Sequence, residues 1–169
     1  KRAMELLTNI GIDNLSPILL STLGRMYNNN GRAAEAIELF ERIDEAHRDW
    51  SWYYRCGYAH GMLAIGESYE SEHVQKALQL IETGIKVTKE AHLDKQLVWC
   101  CEVVKYHLSK IKPKEYKVDY PLVYETIKTV FDKKNSKEAT DDNHIEDVNE
   151  YEEDNYPTYD VVHWVFNKQ

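Results

Sequence analysis

The sequence predicts an all-α fold in which antiparallel helical hairpins stack into a short superhelix. Apolar residues recur at helical spacing in several consecutive segments of the 169-residue chain. Two of these segments are joined by only Asn-Asn-Asn-Gly, and so short a connection makes amphipathic helices pack antiparallel. A similar order of small and aromatic residues returns 33 residues later, so we expect a second hairpin.

Three helices are predicted in the first 45 residues. A short one covers KRAMELLTNIGI and ends near Gly11. Its apolar stripe consists of Met4, Leu6, Leu7 and Ile10. The second helix begins at Pro17, because proline fits the first helical turn, and it ends at Asn-Asn-Asn-Gly. The third runs from about Arg32 to Glu45 and turns its apolar face inward.

Small residues stand where the second and third helices are expected to come closest. Gly24 and Ala36 leave room for a close approach of the two helix axes. Tyr27 and Phe40 are large enough to fill the remaining space between them. The fixed offsets of these four residues therefore have a steric reason.

A weaker copy of this pattern follows in WYYRCGYAHGML and KALQLIETGI. The residues that stand 33 positions after Leu20, Leu23, Gly24 and Tyr27 are Tyr53, Cys56, Gly57 and His60. Ala77 and Ile81 take the places of Ala36 and Phe40, but eight extra residues lie within AIGESYESEHV. We expect this insertion to lengthen a helix or to form a loop.

The remaining chain predicts a closing helix, a lysine-rich stretch and an acidic tail. The closing helix, HLDKQLVWCCEVVKYHLSKI, precedes Pro113 and is apolar on one face. This face holds Leu93, Leu97, Cys100, Val104 and Leu108. We divide the chain into a helical repeat domain (residues 1–110), a lysine-rich linker with an amphipathic helix (residues 111–137) and a flexible acidic tail with an apolar C-terminal segment (residues 138–169).

The net charge of −8 is concentrated in the tail. Residues 138–160 hold ten Asp or Glu and no Lys or Arg, whereas residues 105–137 carry nine Lys against four acidic residues. One interpretation is a solvated tail, as charge runs usually are. The other is that the tail folds back and occupies the lysine-rich segment or a binding groove, because a tethered segment has a high effective concentration.

The order of Leu20, Leu23, Gly24, Tyr27, Ala36 and Phe40 resembles the tetratricopeptide repeat (TPR), W-x2-L-G-x2-Y followed by A-x3-F. Over residues 1 to about 110, YNNNGR and WYYRCGYAHGML look like a bacterial subgroup of this superfamily. Its members are thought to be cytoplasmic interaction scaffolds, and related ones occur beside or fused to immunity-type domains. The resemblance implies a concave groove lined by the first helix of each hairpin. The implied partner-binding residues are Ser21, Arg25, Asn28, Tyr54, Tyr58 and Met62.

Aromatic residues in the second repeat have two interpretations. Tyr54 and Tyr58 lie one helical turn apart and can form a platform for a partner side chain, with Arg25 pairing with a carboxylate. Alternatively, the two tyrosines pack against the closing helix. Trp50 and Trp52 point to opposite sides of a helix, so one of them is expected in the core.

The predicted function is a non-catalytic scaffold that binds a protein or peptide, as a monomer or a weak homodimer. The alternative is a docking or dimerisation domain of a larger protein, for example a toxin–immunity component. We predict no enzyme, cofactor or metal, because no nucleophile–base pair, phosphate loop or metal-ligand spacing appears. No nucleic-acid motif and no membrane-length apolar run are present. Three cysteines, two of them adjacent, favour the reducing cytoplasm.

Overall fold

The computed structural model describes residues 2–138, with side chains described for residues 2–131. This part of the chain contains eight α-helices and no β-strand, which confirms the all-α fold. The helices are α1 (Arg2–Ile10), α2 (Pro17–Asn29), α3 (Ala33–Glu41), α4 (Trp50–Leu63), α5 (Glu72–Glu90), α6 (Leu97–Glu102), α7 (Pro113–Tyr116) and α8 (Pro121–Glu138). The acidic tail predicted from the sequence lies, after Glu138, outside the described residues.

The first hairpin consists of α2 and α3. Pro17 starts α2, and the Ser16 hydroxyl accepts a hydrogen bond from the Leu19 amide (3.4 Å), so the start signal works as expected. Between the two helices the chain turns at Gly31, whose φ of 73° suits glycine. A Cβ placed on Gly24 would lie 2.5 Å from Cε1 of Phe40, which is fully buried. Gly24 therefore sets the distance between α2 and α3.

The second hairpin consists of α4 and α5, and the residues that contact each other occur in opposite order along the two helices. Gly84 faces Tyr53 near the start of α4, whereas Gly57 faces Ile81 further along. The hairpin is therefore antiparallel. Its loop has eight residues (64–71), where the loop of the first hairpin has three (30–32), and the other residues of the insertion lengthen the helices.

Residues between the two hairpins fix the start of α4. The indole Nε1 of Trp52 donates a buried hydrogen bond to the carbonyl of Phe40 (2.9 Å). The guanidinium of Arg48 lies over the Trp52 ring (4.2 Å to the centroid), and its Nε donates to the carbonyl of Ile43 (2.9 Å). Trp52 is thus the core tryptophan of the expected pair, and Trp50 is only half-buried. Helix α3 ends at Glu41, four residues before the predicted end at Glu45, so the Phe40 carbonyl lies in its last turn and the Ile43 carbonyl lies just past it.

A third pair of helices, α6 and α8, completes the fold. After α6 the chain continues as a π-helical stretch, Val103–His107, which packs against α4, while α6 itself packs against α5. Helix α8 packs against both α5 and α6, with Val123 fully buried. The helix that the sequence analysis placed in a separate segment of residues 111–137 therefore shares one core with the repeat domain. The closing helix predicted from the sequence, which contains α6, therefore packs against α8.

A carboxylate from α5 holds the start of α8. The Glu82 side chain accepts hydrogen bonds from the backbone amides of Leu122 (3.0 Å) and Val123 (2.8 Å). Amides in the first turn of a helix have no partner within the helix, so Glu82 supplies one from outside. Beside it, the Tyr120 hydroxyl donates to Oε1 of Gln75 on α5 (2.8 Å). These long-range bonds join the third pair to the second hairpin.

We expect Gly24→Ala to destabilise the protein more than Gly57→Ala. The added methyl group at position 24 would meet a buried aromatic ring, whereas at position 57 it would meet the flexible end of Ile81. Overpacking outweighs the better helix propensity of alanine, so Gly24→Ala should lower the free energy of unfolding by about 1–2 kcal/mol. Urea denaturation followed by circular dichroism measures both variants. Equal costs would contradict the steric role of Gly24.

We expect Glu82→Ala to loosen α8. Losing a cap on two first-turn amides should cost about 1–2 kcal/mol and should speed hydrogen exchange at Leu122 and Val123. Glu90→Ala, an exposed change on the same helix, serves as the control and should stay within about 0.5 kcal/mol. Unchanged exchange at the two α8 amides in Glu82→Ala would argue against the cap.

Candidate functional site

The six residues expected to line a groove lie on α2 and α4, the first helices of the two hairpins. Ser21, Arg25 and Met62 are half-buried. The other three are buried, with exposed fractions of 2% for Asn28, 3% for Tyr54 and 4% for Tyr58. Met62 packs against both hydrophobic clusters of the core. Only part of the predicted face is therefore open to a partner.

Contacts between α2 and α4 explain why Asn28 is buried. Its Nδ2 donates a hydrogen bond to the backbone carbonyl of Arg55 (3.0 Å). The Arg55 guanidinium in turn donates from Nη1 to the Ser21 hydroxyl (2.7 Å). The side chain of Arg55 thus runs along α2 from Asn28 toward Ser21, past the position of Arg25, which lies one helical turn from each. The polar surface at this junction combines side chains of both helices.

Arg55 is a site residue that the sequence analysis missed. It stands in WYYRCGYAHGML, directly after Tyr54, and the periodicity of this helix drew attention to its aromatic residues instead. Its charge could have identified it: apart from a histidine, Arg55 is the one basic or acidic residue of α4. A long cation on such a helix needs polar partners, and the neighbouring helix provides them.

Tyr54 and Tyr58 are covered by the third pair of helices. The ring of Tyr54 packs against Trp99 of α6, with 6.3 Å between centroids, and that of Tyr58 packs edge-on against His107 of the π-helical stretch, with 4.7 Å. Burial raises the pKa of Tyr58 to about 12 and that of Tyr54 in the same direction. Both rings therefore belong to the hydrophobic core, which is the arrangement of the packing interpretation and leaves little of either ring exposed.

Gly61 allows α4 and the π-helical stretch that covers Tyr58 to come into close contact. A Cβ on Gly61 of α4 would lie 2.8 Å from Nδ1 of His107. Burial lowers the pKa of His107 to about 4, so its ring is neutral at neutral pH. A neutral ring packs against Tyr58 without bringing a charge into the core.

Two histidines form a polar contact between α4 and α5. Nδ1 of His60 lies 3.1 Å from Nδ1 of His73, so one ring donates the proton and the other accepts it. Burial, followed by the neighbouring His73 and Lys76, lowers the pKa of His60 to about 4. The contact requires one of the two Nδ1 atoms to be unprotonated, and the lowered pKa of His60 keeps its ring neutral at neutral pH.

The three cysteines are free and buried. Burial raises the pKa of Cys56 and of Cys100 to about 12, and it raises that of Cys101 as well. The thiolate is the reactive form of cysteine, so these buried thiols behave as small apolar side chains.

Two features of the described residues concern metal binding and membrane insertion. Their His, Cys, Asp and Glu side chains form no group of three or more that could hold a metal ion. Their helices include none with the length and apolar character needed to cross a membrane. A scan against protein-family models and searches of curated proteins and of solved structures found no match to this chain.

We expect the protein to lose stability between about pH 6.5 and pH 4. The pKa of His60 is about 4 in the folded state and 6.5 ordinarily, so the unfolded chain takes up the proton first as the pH falls. The stabilisation is complete above pH 6.5 and is lost as the pH falls through about 4, on the order of 2 kcal/mol for this group. Urea denaturation across this range measures the effect.

The matched variants are His60→Gln and His47→Gln. His60→Gln removes the titrating ring and should flatten the dependence of the unfolding free energy on pH, with His107 accounting for what remains. His47 is exposed, and its replacement should leave the slope unchanged. A wild-type slope in His60→Gln would show that this ring does not carry the acid sensitivity.

Proposed function

We propose that this chain is a non-catalytic, TPR-like scaffold of the cytoplasm that binds a protein or peptide. The observation that carries the proposal is the repeated helical hairpin: Gly24 against Phe40 and Gly57 against Ile81 are the same contact in two successive hairpins. Proteins built by stacking such units present extended surfaces for binding other chains. Three buried, free cysteines are in keeping with a reducing compartment.

The proposed binding surface is the α2–α4 junction, where Ser21, Arg25 and Arg55 remain half-buried. Arg25 and Arg55 contribute two guanidinium groups from adjacent helices to this surface. Arginine presents a planar set of N–H donors that matches a carboxylate, and the Ser21 hydroxyl already holds the Arg55 side chain in place. The favoured ligand is therefore a peptide with Asp or Glu side chains.

A second candidate function, docking or dimerisation, is favoured by an apolar surface at the start of the chain. Four large apolar side chains on α1 and α2 are exposed. Their exposed fractions are 57% for Leu6, 53% for Ile10, 78% for Ile18 and 38% for Leu19. Exposed apolar clusters mark interaction surfaces. In a larger assembly, such as a toxin–immunity component, this end would meet another helical unit.

Peptide selection tests the scaffold proposal without knowledge of the natural partner. Random-peptide phage display against the full chain should enrich peptides rich in Asp and Glu. Arg25→Glu should weaken the best peptide by about ten-fold or more in calorimetry, since like charges now face each other. Lys86→Glu, an exposed change on α5, should leave the affinity within about two-fold.

Two controls keep this test decisive. Circular dichroism shows whether Arg25→Glu folds, and Arg25→Gln removes the charge with less disturbance. Selected peptides without an acidic bias, or an equal loss of affinity in Arg25→Glu and Lys86→Glu, would contradict the proposed surface.

Light scattering tests the second candidate. If the apolar end is a dimerisation surface, the full chain should self-associate, and Ile18→Lys should shift it to monomer because the change places a charge in an apolar contact. Ile65→Lys, an exposed apolar position on the loop after α4, is the matched control and should not change the mass. A monomer at all concentrations would count against this function.

A further inference from the structure

A cleft of about 470 Å³ opens on a part of the surface that is separate from the α2–α4 junction. One wall is the loop that follows α4, including Glu67 and Tyr69, and the other is the chain from Lys110 to Glu115. The eight-residue loop 64–71 that builds the first wall contains most of the insertion in the second repeat. The insertion thus creates a surface feature that the first hairpin lacks.

Three lysines, Lys110, Lys112 and Lys114, line this cleft, and all of them are exposed. The ion pairs Arg32–Glu35 and Arg42–Asp13 lie elsewhere and do not involve these ammonium groups. The Lys110 ammonium donates a hydrogen bond to the carbonyl of Gly66 on the other wall (3.5 Å). We call the feature the lysine cleft.

The two carboxylates of the lysine cleft are engaged with neutral donors. Glu115 accepts a hydrogen bond from the backbone amide of Lys112 (2.7 Å), at the start of α7. Glu67 accepts one from the Ser71 hydroxyl. The three lysines outnumber the two carboxylates, so the cleft has an excess of positive charge. Ile65, just before the cleft, and Val118, just after it, are exposed apolar side chains. The surface suits an acidic segment that also carries apolar residues.

We propose that the acidic segment of the same chain, residues 139–160, binds in the lysine cleft. This segment holds nine Asp or Glu and no Lys or Arg, with apolar residues between the acids. Its densest part is Glu150, Glu152, Glu153 and Asp154. The acidic segment and the lysine cleft carry opposite charges and belong to the same chain, so their attraction needs no external partner.

The length of chain allows this contact. Helix α8 has 18 residues and is about 27 Å long, and it begins five residues after α7, beside the lysine cleft. The 12 residues from 139 to 150 can span up to about 40 Å when extended. The chain is therefore long enough for the cluster at 150–154 to meet the cleft, and the tether raises its effective concentration to about millimolar.

Binding at this site differs from binding at the α2–α4 junction, so the inference does not depend on the proposed function. Each exposed ion pair contributes little, about 0.2–1 kcal/mol, but several pairs act together on a tethered segment. An acidic partner that competes for the lysine cleft would first have to displace the chain's own segment.

Zero-length carbodiimide cross-linking of the full chain, read by mass spectrometry on the monomer band, tests the proposal. Cross-links from Lys110, Lys112 and Lys114 to residues 150–154 should be about five-fold more frequent per lysine than those from Lys86 and Lys89, which are exposed on α5. They should fall to the level of these controls in about 0.5 M salt, which screens exposed charges.

A charge swap separates a specific contact from general attraction. Changing the three cleft lysines to Glu should abolish the preferred cross-links. Changing residues 150 and 152–154 to Lys in the same chain should restore them at the same positions, because the pairs are then reversed. Equal cross-linking of all exposed lysines, no rescue by the swap, or cross-links confined to the dimer band would each overturn the proposal.

Discussion

The fold depends on glycines that let helix axes approach where a side chain on either helix would otherwise keep them apart. Gly24 faces Phe40 in the first hairpin, and Gly57 faces Ile81 in the second. Gly61 then allows His107 to approach α4 from the third pair of helices. Because a Cβ at each of these positions would come within 3 Å of its neighbour, the small residue sets the distance between the packed elements.

Close packing alone does not fix how one helix slides along another, and buried polar contacts supply that information. The Trp52 indole reaches the Phe40 carbonyl, and Glu82 reaches the first amides of α8. A buried donor or acceptor without a partner is costly, so each bond favours one register over its neighbours. Apolar contacts drive the helices together, and these bonds select the arrangement.

The sequence predicted the parts of the fold that depend on local patterns. Pro17 and Asn-Asn-Asn-Gly bounded α2, and the offsets of Gly24 and Phe40 predicted a contact that the structure contains. The role of α8 was missed because its docking depends on Glu82, 40 residues before Leu122, and no local pattern marks such a pair. Tyr54 and Tyr58 were ambiguous for the same reason, since their burial depends on a helix some 45 residues later.

The covered tyrosines change where a binding surface can lie. In a stack of hairpins the first helices line one face, and here the π-helical stretch Val103–His107 closes that face over α4. At the α2–α4 junction the side chains of Ser21 and Arg55 remain half-buried, and the Arg55 guanidinium donates to the Ser21 hydroxyl there. After the end of α4, the longer loop forms one wall of the lysine cleft. The chain after the second hairpin thus closes one surface, and the insertion within that hairpin creates another.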